Sequence, residues 1–302
     1  KEVSKDPLLH KYEEIIDASD KVMIPGLLDA HVHLASTAAV SEGFSTEYLT
    51  LKASKLAAKS LLSGFTTLGD AGSTGNTSFA LRRAIGERLI SGPRIMACGS
   101  MITMTGGRVK KGTKLGSNPF EICGKNEARR AARTLLMYGG ADFLKLGATG
   151  ALSNPLTSPL TPQLTIEEMQ GVVHEANKCG KPVHSHCYGK DGIGNSLEAG
   201  VDVIVHGQSF ETQQFEYMRK HNRIFIPTLF AYKKYLEQTE PQDLELGSDR
   251  REIIEGTITN FKNALDQGIT IALGTDISSR HENVFGKHAF ELVEMVRLGM
   301  SE

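Results

Sequence analysis

The run VMIPGLLDAHVHL ends on two histidines one residue apart, His31 and His33. Alternate side chains of a strand share a face, so this spacing directs both imidazoles toward one point. Imidazole is the commonest protein ligand of transition metals. A lone His-x-His also occurs on surface strands that bind no ion, and the constraint here comes from its company. Lys145, His186, His206 and Asp276 each fall in or at the end of a later apolar run, so a fold that uses them together must gather many strand ends in one place.

The periodicity supplies such a fold. Eight short apolar runs, DAHVHL, FTTLGD, RIMACGS, DFLKLG, PVHSHC, DVIVHG, RIFIPTL and TIALGTD, recur along the chain. Segments with helical spacing lie between them: 48–62, 79–89, 127–138, 166–178, 215–220 and 253–265. Strand then helix, repeated, predicts an α/β fold with a parallel sheet that closes as a (β/α)8 TIM barrel. Glycines follow the helical segments in LLSGF, MYGGADF, NKCGKPV, EAGVDV and DQGITI, where helix C-caps belong. Loops after the strands are longer, notably 101–125 and 148–164, and in such barrels function collects at that face. Residues 103–124 read as a lid. SNPLTSPLTPQ leads into a helix capped by Thr165, with Glu167 and Glu168 in its first turn. The pieces EEIIDA and KVMIP fall outside the barrel period, so residues 1–25 are expected to form a flanking strand element of a partial β-sandwich. Residues 26–302 are expected to form the barrel, cut short at its C-terminus.

A chain of 302 residues suffices for one barrel of about 250 residues. With 34 Lys and Arg against 35 Asp and Glu, scattered singly or in pairs, it offers no basic surface, which argues against nucleic acid as a partner. Apolar stretches fall short of the roughly 18 residues of a membrane span, and no signal-peptide pattern opens the chain. A cytoplasmic homo-oligomer acting on a small molecule is therefore expected, with no membrane partner. Cys98, Cys123, Cys179 and Cys187 lack C-x-x-C spacing and read as reduced, mostly buried thiols.

Several imidazoles and a carboxylate converging in a barrel mouth suit two divalent ions such as Zn²⁺. Lys145, flanked by Phe143, Leu144 and Leu146, is the odd member. Burial disfavours a protonated amine, and a neutral amine reacts with carbon dioxide to give a carbamate able to bridge two cations. A lysine paired with Asp276 or Asp70 fits the spacing equally well.

The combination PGLLDAHVHL, DFLKLGATG, PVHSHCYGKDGI, DVIVHG and IALGTD resembles the metal-dependent amidohydrolase superfamily over nearly the whole chain. MITMTGG, KLGATGALS and HCYGKDGI are most similar to the zinc-dependent prolidase and Xaa-Arg dipeptidase branch, near the ochratoxin-hydrolysing amidases. The resemblance implies that His31, His33 and Asp276 hold one metal and His186 and His206 the other, with N6-carboxylated Lys145 bridging them. It places Tyr188 at the substrate carboxylate. His184 shares a strand face with His186, and counting back from GKDGI assigns the ligand role to His186, leaving His184 one layer deeper as a packing or substrate-side residue. Arg108, in the long loop, is a further substrate-binding candidate. Two positions depart from the branch: Gly69 stands where relatives carry Arg, and Arg108 where they carry His. FGKHAFEL replaces a His-Gly-x-Asn-Ala pattern, so the resemblance gives His288 no role.

The implied chemistry is hydrolysis of an amide or peptide bond of a dipeptide or N-acyl amino acid. Paired metals supply a hydroxide near neutral pH, and Asp276 moves its proton to the departing nitrogen. The alternatives are a cyclic-amide hydrolase or deaminase on the same fold, or a non-catalytic scaffold. Lys145 argues against a single-metal deaminase, and the complete ligand set argues against the scaffold.

Overall fold

The computed structural model describes residues 16–36, 43–107, 120–151, 158–232, 248–279 and 282–301. Every one of the eight apolar runs contains a strand. In chain order the strands are β1 (Leu27–His33), β2 (Phe65–Asp70), β3 (Arg94–Ala97), β4 (Ile102–Met104), β5 (Glu121–Ile122), β6 (Leu144–Gly147), β7 (Val183–Cys187), β8 (Val203–His206), β9 (Ile224–Ile226), β10 (Thr270–Ile271) and β11 (Ile277–Ser278). All ladder pairings between them are parallel.

The ladders form two sheets, ordered β11-β1-β2-β3 and β10-β9-β8-β7-β6-β4-β5. Two broken strands join them into a circuit. β3 and β4 are successive stretches of one path, the first paired with β2 and the second with β6. The path breaks at Gly99, whose φ of 75° lies in the left-handed region that favours glycine. β10 and β11 do the same on the other side, pairing with β9 and β1 respectively. Asp142 N donates to Ala97 O and Ala30 N to Leu273 O, each at 2.9 Å, across these two seams. This is the strand circuit of a (β/α)8 barrel, with β5 added beside β4.

Helices among the described residues include Thr46–Leu62, Thr77–Gly86, Lys125–Met137, Ile166–Lys178, Lys190–Glu198, Thr212–Lys220, Ser248–Asp266 and Ala289–Arg297. The expected cap is there. Thr165 accepts from Glu168 N while Glu168 reaches back to Thr165 N, a reciprocal box in which the cap residue contributes about 1 kcal/mol. Helix Lys190–Glu198 escapes the sequence pattern because Gly192 and Gly194 lower its propensity. Gly192 is needed for packing, since a Cβ there would lie 2.2 Å from the Thr149 methyl carbon.

Strand periodicity sorts the barrel wall. Leu144, Leu146, Val183, Ile204 and Phe225 pack outward on Leu135, Met169, Ile193 and Met218 of the helices. Val32, Phe65, Leu68 and Ile95 pack on Leu49, Leu56 and Leu81. Lys145, between two outward leucines, therefore points to the interior, where it is fully buried.

The 101–125 loop carries β4 and β5 at its ends, and residues 108–119, which include Arg108, lie outside the described residues. So do residues 1–15; described residues 16–26 carry no strand, and Val22, Met23 and Ile24 are exposed. The four cysteines are free thiols, with Cys98 and Cys187 buried, Cys179 half-buried and Cys123 exposed. Among the described residues, no helix is long and apolar enough to cross a membrane.

Candidate metal centre

His31 and His33 project from the last turns of β1, and Asp276 from the break between β10 and β11. Asp276 N donates to His31 O at 2.8 Å, so the two ligand-bearing segments are locked side by side. His33 Nδ1 lies 2.9 Å from Gly72 O, a carbonyl that only accepts, so Nδ1 carries a proton and Nε2 is the nitrogen turned toward Asp276. That Nε2 is 3.2 Å from Asp276 Oδ1, and His31 Nε2 is 3.5 Å from the same oxygen. The three ligand atoms lie within 4.8 Å of one another.

These spacings fit a small cation. Donors about 2.0–2.1 Å from a tetrahedral zinc stand about 3.3–3.4 Å apart. Burial, then the charge of Lys145, push His31 well below its ordinary value. Burial works the same way on His33, but the hydrogen bond and charge of Asp276 outweigh it and raise that ring. Burial alone would raise Asp276; hydrogen bonds from His31 and His33 instead hold it well below the carboxylate range. A cation bound here would displace the shared proton.

Beside this trio stands a second histidine pair. The rings of His186 and His206 are 4.6 Å apart, and His206 is 5.7 Å from His31. His186 Nε2 meets Gly150 O at 2.9 Å, which assigns Nε2 the proton and leaves the lone pair on Nδ1. His206 meets the Thr228 hydroxyl through Nδ1 at 2.9 Å. Lys145 pairs in register with His184, and its charge reaches His31, His184, Cys98 and Cys187. His184 stacks on Phe143 at 4.3 Å, and burial, then Lys145, hold its ring down to about 3. Tyr188 is buried with its ring 4.6 Å from His186 and 5.0 Å from His206.

Residues without an assigned role in the sequence also meet here. Asp29, fully buried, accepts from His31 N (3.0 Å), Thr275 N (3.2 Å), Thr275 Oγ1 (2.6 Å) and His288 Nδ1 (2.7 Å). One carboxylate thus holds the strands of both His31 and Asp276. The only sequence signal was its place two residues before His31. Tyr232 closes the aromatic wall, 6.5 Å from Tyr188 and 6.3 Å from His206, and its phenol is influenced by Tyr188 and Thr228. Burial, then Tyr188, push its hydroxyl well above the ordinary value. Gly69 marks a close approach of β1 and β2: a Cβ there would lie 2.5 Å from Ala30 O.

His206, Thr228 and Asp276 share a backbone property. Their φ values of 76°, 54° and 55° are left-handed, rare for residues other than glycine. Each costs on the order of 1–3 kcal/mol. Three such positions in one mouth show a site built against local preference.

Fold and site together define an α/β barrel whose strand ends carry a candidate metal centre. The chain belongs to the amidohydrolase family, whose sequence profile matches residues 22–301. It is 26% identical over 281 residues to ochratoxinase of Aspergillus niger, covering 84% of this chain and 58% of that protein. Among solved structures, an Xaa-Pro dipeptidase with bound methionine in the active site shares 29% identity at a TM-score of 0.80, over 91% of this chain and 71% of that one. The A. niger ochratoxinase structure matches at a TM-score of 0.79 and 23% identity, over 91% of this chain and 67% of that one. The chain thus spans about three fifths of the length of the curated relative it matches.

Proposed function

We propose that this barrel belongs to a binuclear metal-dependent hydrolase that cleaves an amide or peptide bond in a small substrate, a dipeptide or an N-acyl amino acid. The observation that carries the reading is the convergence of His31, His33 and Asp276 from two adjoining strands, both imidazoles 3.2–3.5 Å from one carboxylate oxygen and all three donors within 4.8 Å, beside the His186–His206 pair. In this reading His31, His33 and Asp276 would hold one Zn²⁺ or similar ion and His186 and His206 the other, with Lys145, as its carbamate, supplying an anionic ligand between the two groups.

Bound metal supplies Lewis acidity and a nucleophile at neutral pH. The chain's own residues do the rest. Gly72 O and Gly150 O fix the tautomers of His33 and His186. Asp276, whose carboxyl stays ionised in its buried place, receives the proton of the attacking water and returns it to the departing nitrogen. Tyr188 holds the substrate carboxylate, with Arg108 and His184 as further candidates for substrate contact. The aromatic wall of Tyr188 and Tyr232 keeps water from the reacting carbonyl. The name of one relative, an Xaa-Pro dipeptidase with bound methionine in the active site, accords with a dipeptide or amino-acid-derived substrate, and that of the other, an ochratoxinase, with a small molecule.

The test is hydrolysis of a panel of dipeptides and N-acyl amino acids by the full-length protein, with and without chelator, beside a metal count. Chelator-sensitive cleavage and two equivalents of metal are expected. Purification with well under one equivalent and no cleavage would favour a non-catalytic scaffold. Activity confined to cyclic amides would move the substrate class.

A further inference from the structure

The seventh barrel strand, β9, carries no metal ligand, yet the turn after it contains the least favourable backbone of the site. Thr228 has φ 54° and is fully buried. A β-branched residue in the left-handed region is a conformational outlier, and glycine would occupy the position without penalty. The backbone places the threonine hydroxyl 2.9 Å from His206 Nδ1. The same hydroxyl acts on the Tyr232 phenol, whose ring is 6.3 Å from His206.

We propose that Thr228 is a positioning residue for metal binding: its hydroxyl accepts from His206 Nδ1–H and donates to Tyr232, fixing the tautomer that presents His206 Nε2 to the cation. The inference rests on the reading of His206 as a ligand. Three features support it. His206 itself has a left-handed backbone, at φ 76°, so its ring direction is not set by ordinary strand geometry and needs a second anchor. The other ligand rings with a defined tautomer are anchored by carbonyls, Gly72 O for His33 and Gly150 O for His186. The polarity of the chain is also consistent, because a hydroxyl that receives a proton from Nδ1 has its own proton left for the tyrosine oxygen. The same hydroxyl therefore ties a ligand of the His186–His206 pair to the aromatic wall at the substrate side.

The experiment is a competition titration of Zn²⁺ and of Co²⁺ against a chromophoric chelator, on the metal-stripped full-length protein and on His206→Ala, Thr228→Val, Thr228→Ser and Thr228→Gly. His206→Ala should lose one of two equivalents. Thr228→Val, which keeps the shape and removes the hydroxyl, should weaken that same equivalent by about 10–100-fold, while Thr228→Ser stays within about threefold of wild type. Thr228→Gly, which relieves the backbone and cannot fail for steric reasons, should show the same weakening as Thr228→Val without loss of folding. The proposal is overturned if Thr228→Val or Thr228→Gly binds both equivalents as wild type does, or if Thr228→Ser is as weak as Thr228→Val. If His206→Ala retains both equivalents, the ligand reading falls instead, and the two failures are told apart.

Discussion

His288 Nδ1 and Asp29 Oδ2 stand 2.7 Å apart with both side chains fully buried. The other ring nitrogen, Nε2, lies 2.8 Å from the Ser60 hydroxyl. Since Asp29 also binds the backbone of His31 and of Thr275, the imidazole of His288 secures the segments that carry the first ligand trio. Replacing it by Leu should lower stability by about 1.5–3 kcal/mol, the loss of a hydrogen bond to a charged group. Urea unfolding measures this, and a His288→Leu protein as stable as wild type would remove the anchoring role.

Strand β7 offers two histidines on one face, and the environments of the two differ. His186→Ala should reduce bound metal and abolish hydrolysis, whereas His184→Ala, a ring stacked on Phe143, should keep both equivalents of metal. Metal content by elemental analysis decides between them. The reverse result would shift the ligand register of this strand by two residues.

Lys145→Ala should lower metal content and end activity. For the wild type, metal-stripped protein reloaded with zinc should regain activity faster when bicarbonate is present than in degassed buffer. Kinetics unchanged by the substitution would eliminate the bridging role.

Away from the mouth, Glu175 gathers Arg129, Arg133 and Lys178. The hydrogen bond from Arg133 leads in drawing its carboxyl down from 4.5 to about 2, against the opposing effect of burial. The folded state therefore holds this group ionised where the unfolded chain protonates it, so its contribution is present above pH 4.5 and is lost as the pH falls toward about 2. The stability difference between wild type and Glu175→Gln should be constant near neutrality and shrink over that interval, followed by denaturant titration at each pH. A gap independent of pH would mean that the cluster is solvated and weak.

The strands and their order were legible because apolar runs of six or seven residues alternate with helical spacing, and that pattern survives without any tertiary knowledge. The two breaks were not. A strand divided by Gly99, or by the 272–276 stretch, reads as one run, since nothing local says that its halves pair with different neighbours. His31, His33 and Asp276 were legible as polar residues at strand ends, and the structure brings them together. Thr228, Tyr232 and Asp29 were not, because a threonine after a strand, a tyrosine four residues later and an aspartate within one have ordinary structural uses. Their part in the site follows from contacts between distant elements: Asp29 with Thr275 and His288, and Thr228 with His206. Arg108 lies outside the described residues, and its place in the loop rests on the sequence.

The carbonyl anchors give the imidazoles opposite handedness of use: Nδ1 of His186 faces inward, while His33 presents Nε2. Carboxamides can stand in for either atom, since the terminal amide of asparagine falls near the Nδ1 position and that of glutamine near Nε2. Asparagine is therefore the isostere that preserves donor placement at 186, and glutamine the one that does so at 33. In the proposed centre, exchanging the two substitutions would set each oxygen away from the position of the nitrogen it replaces, so a single amide suits each of the two positions.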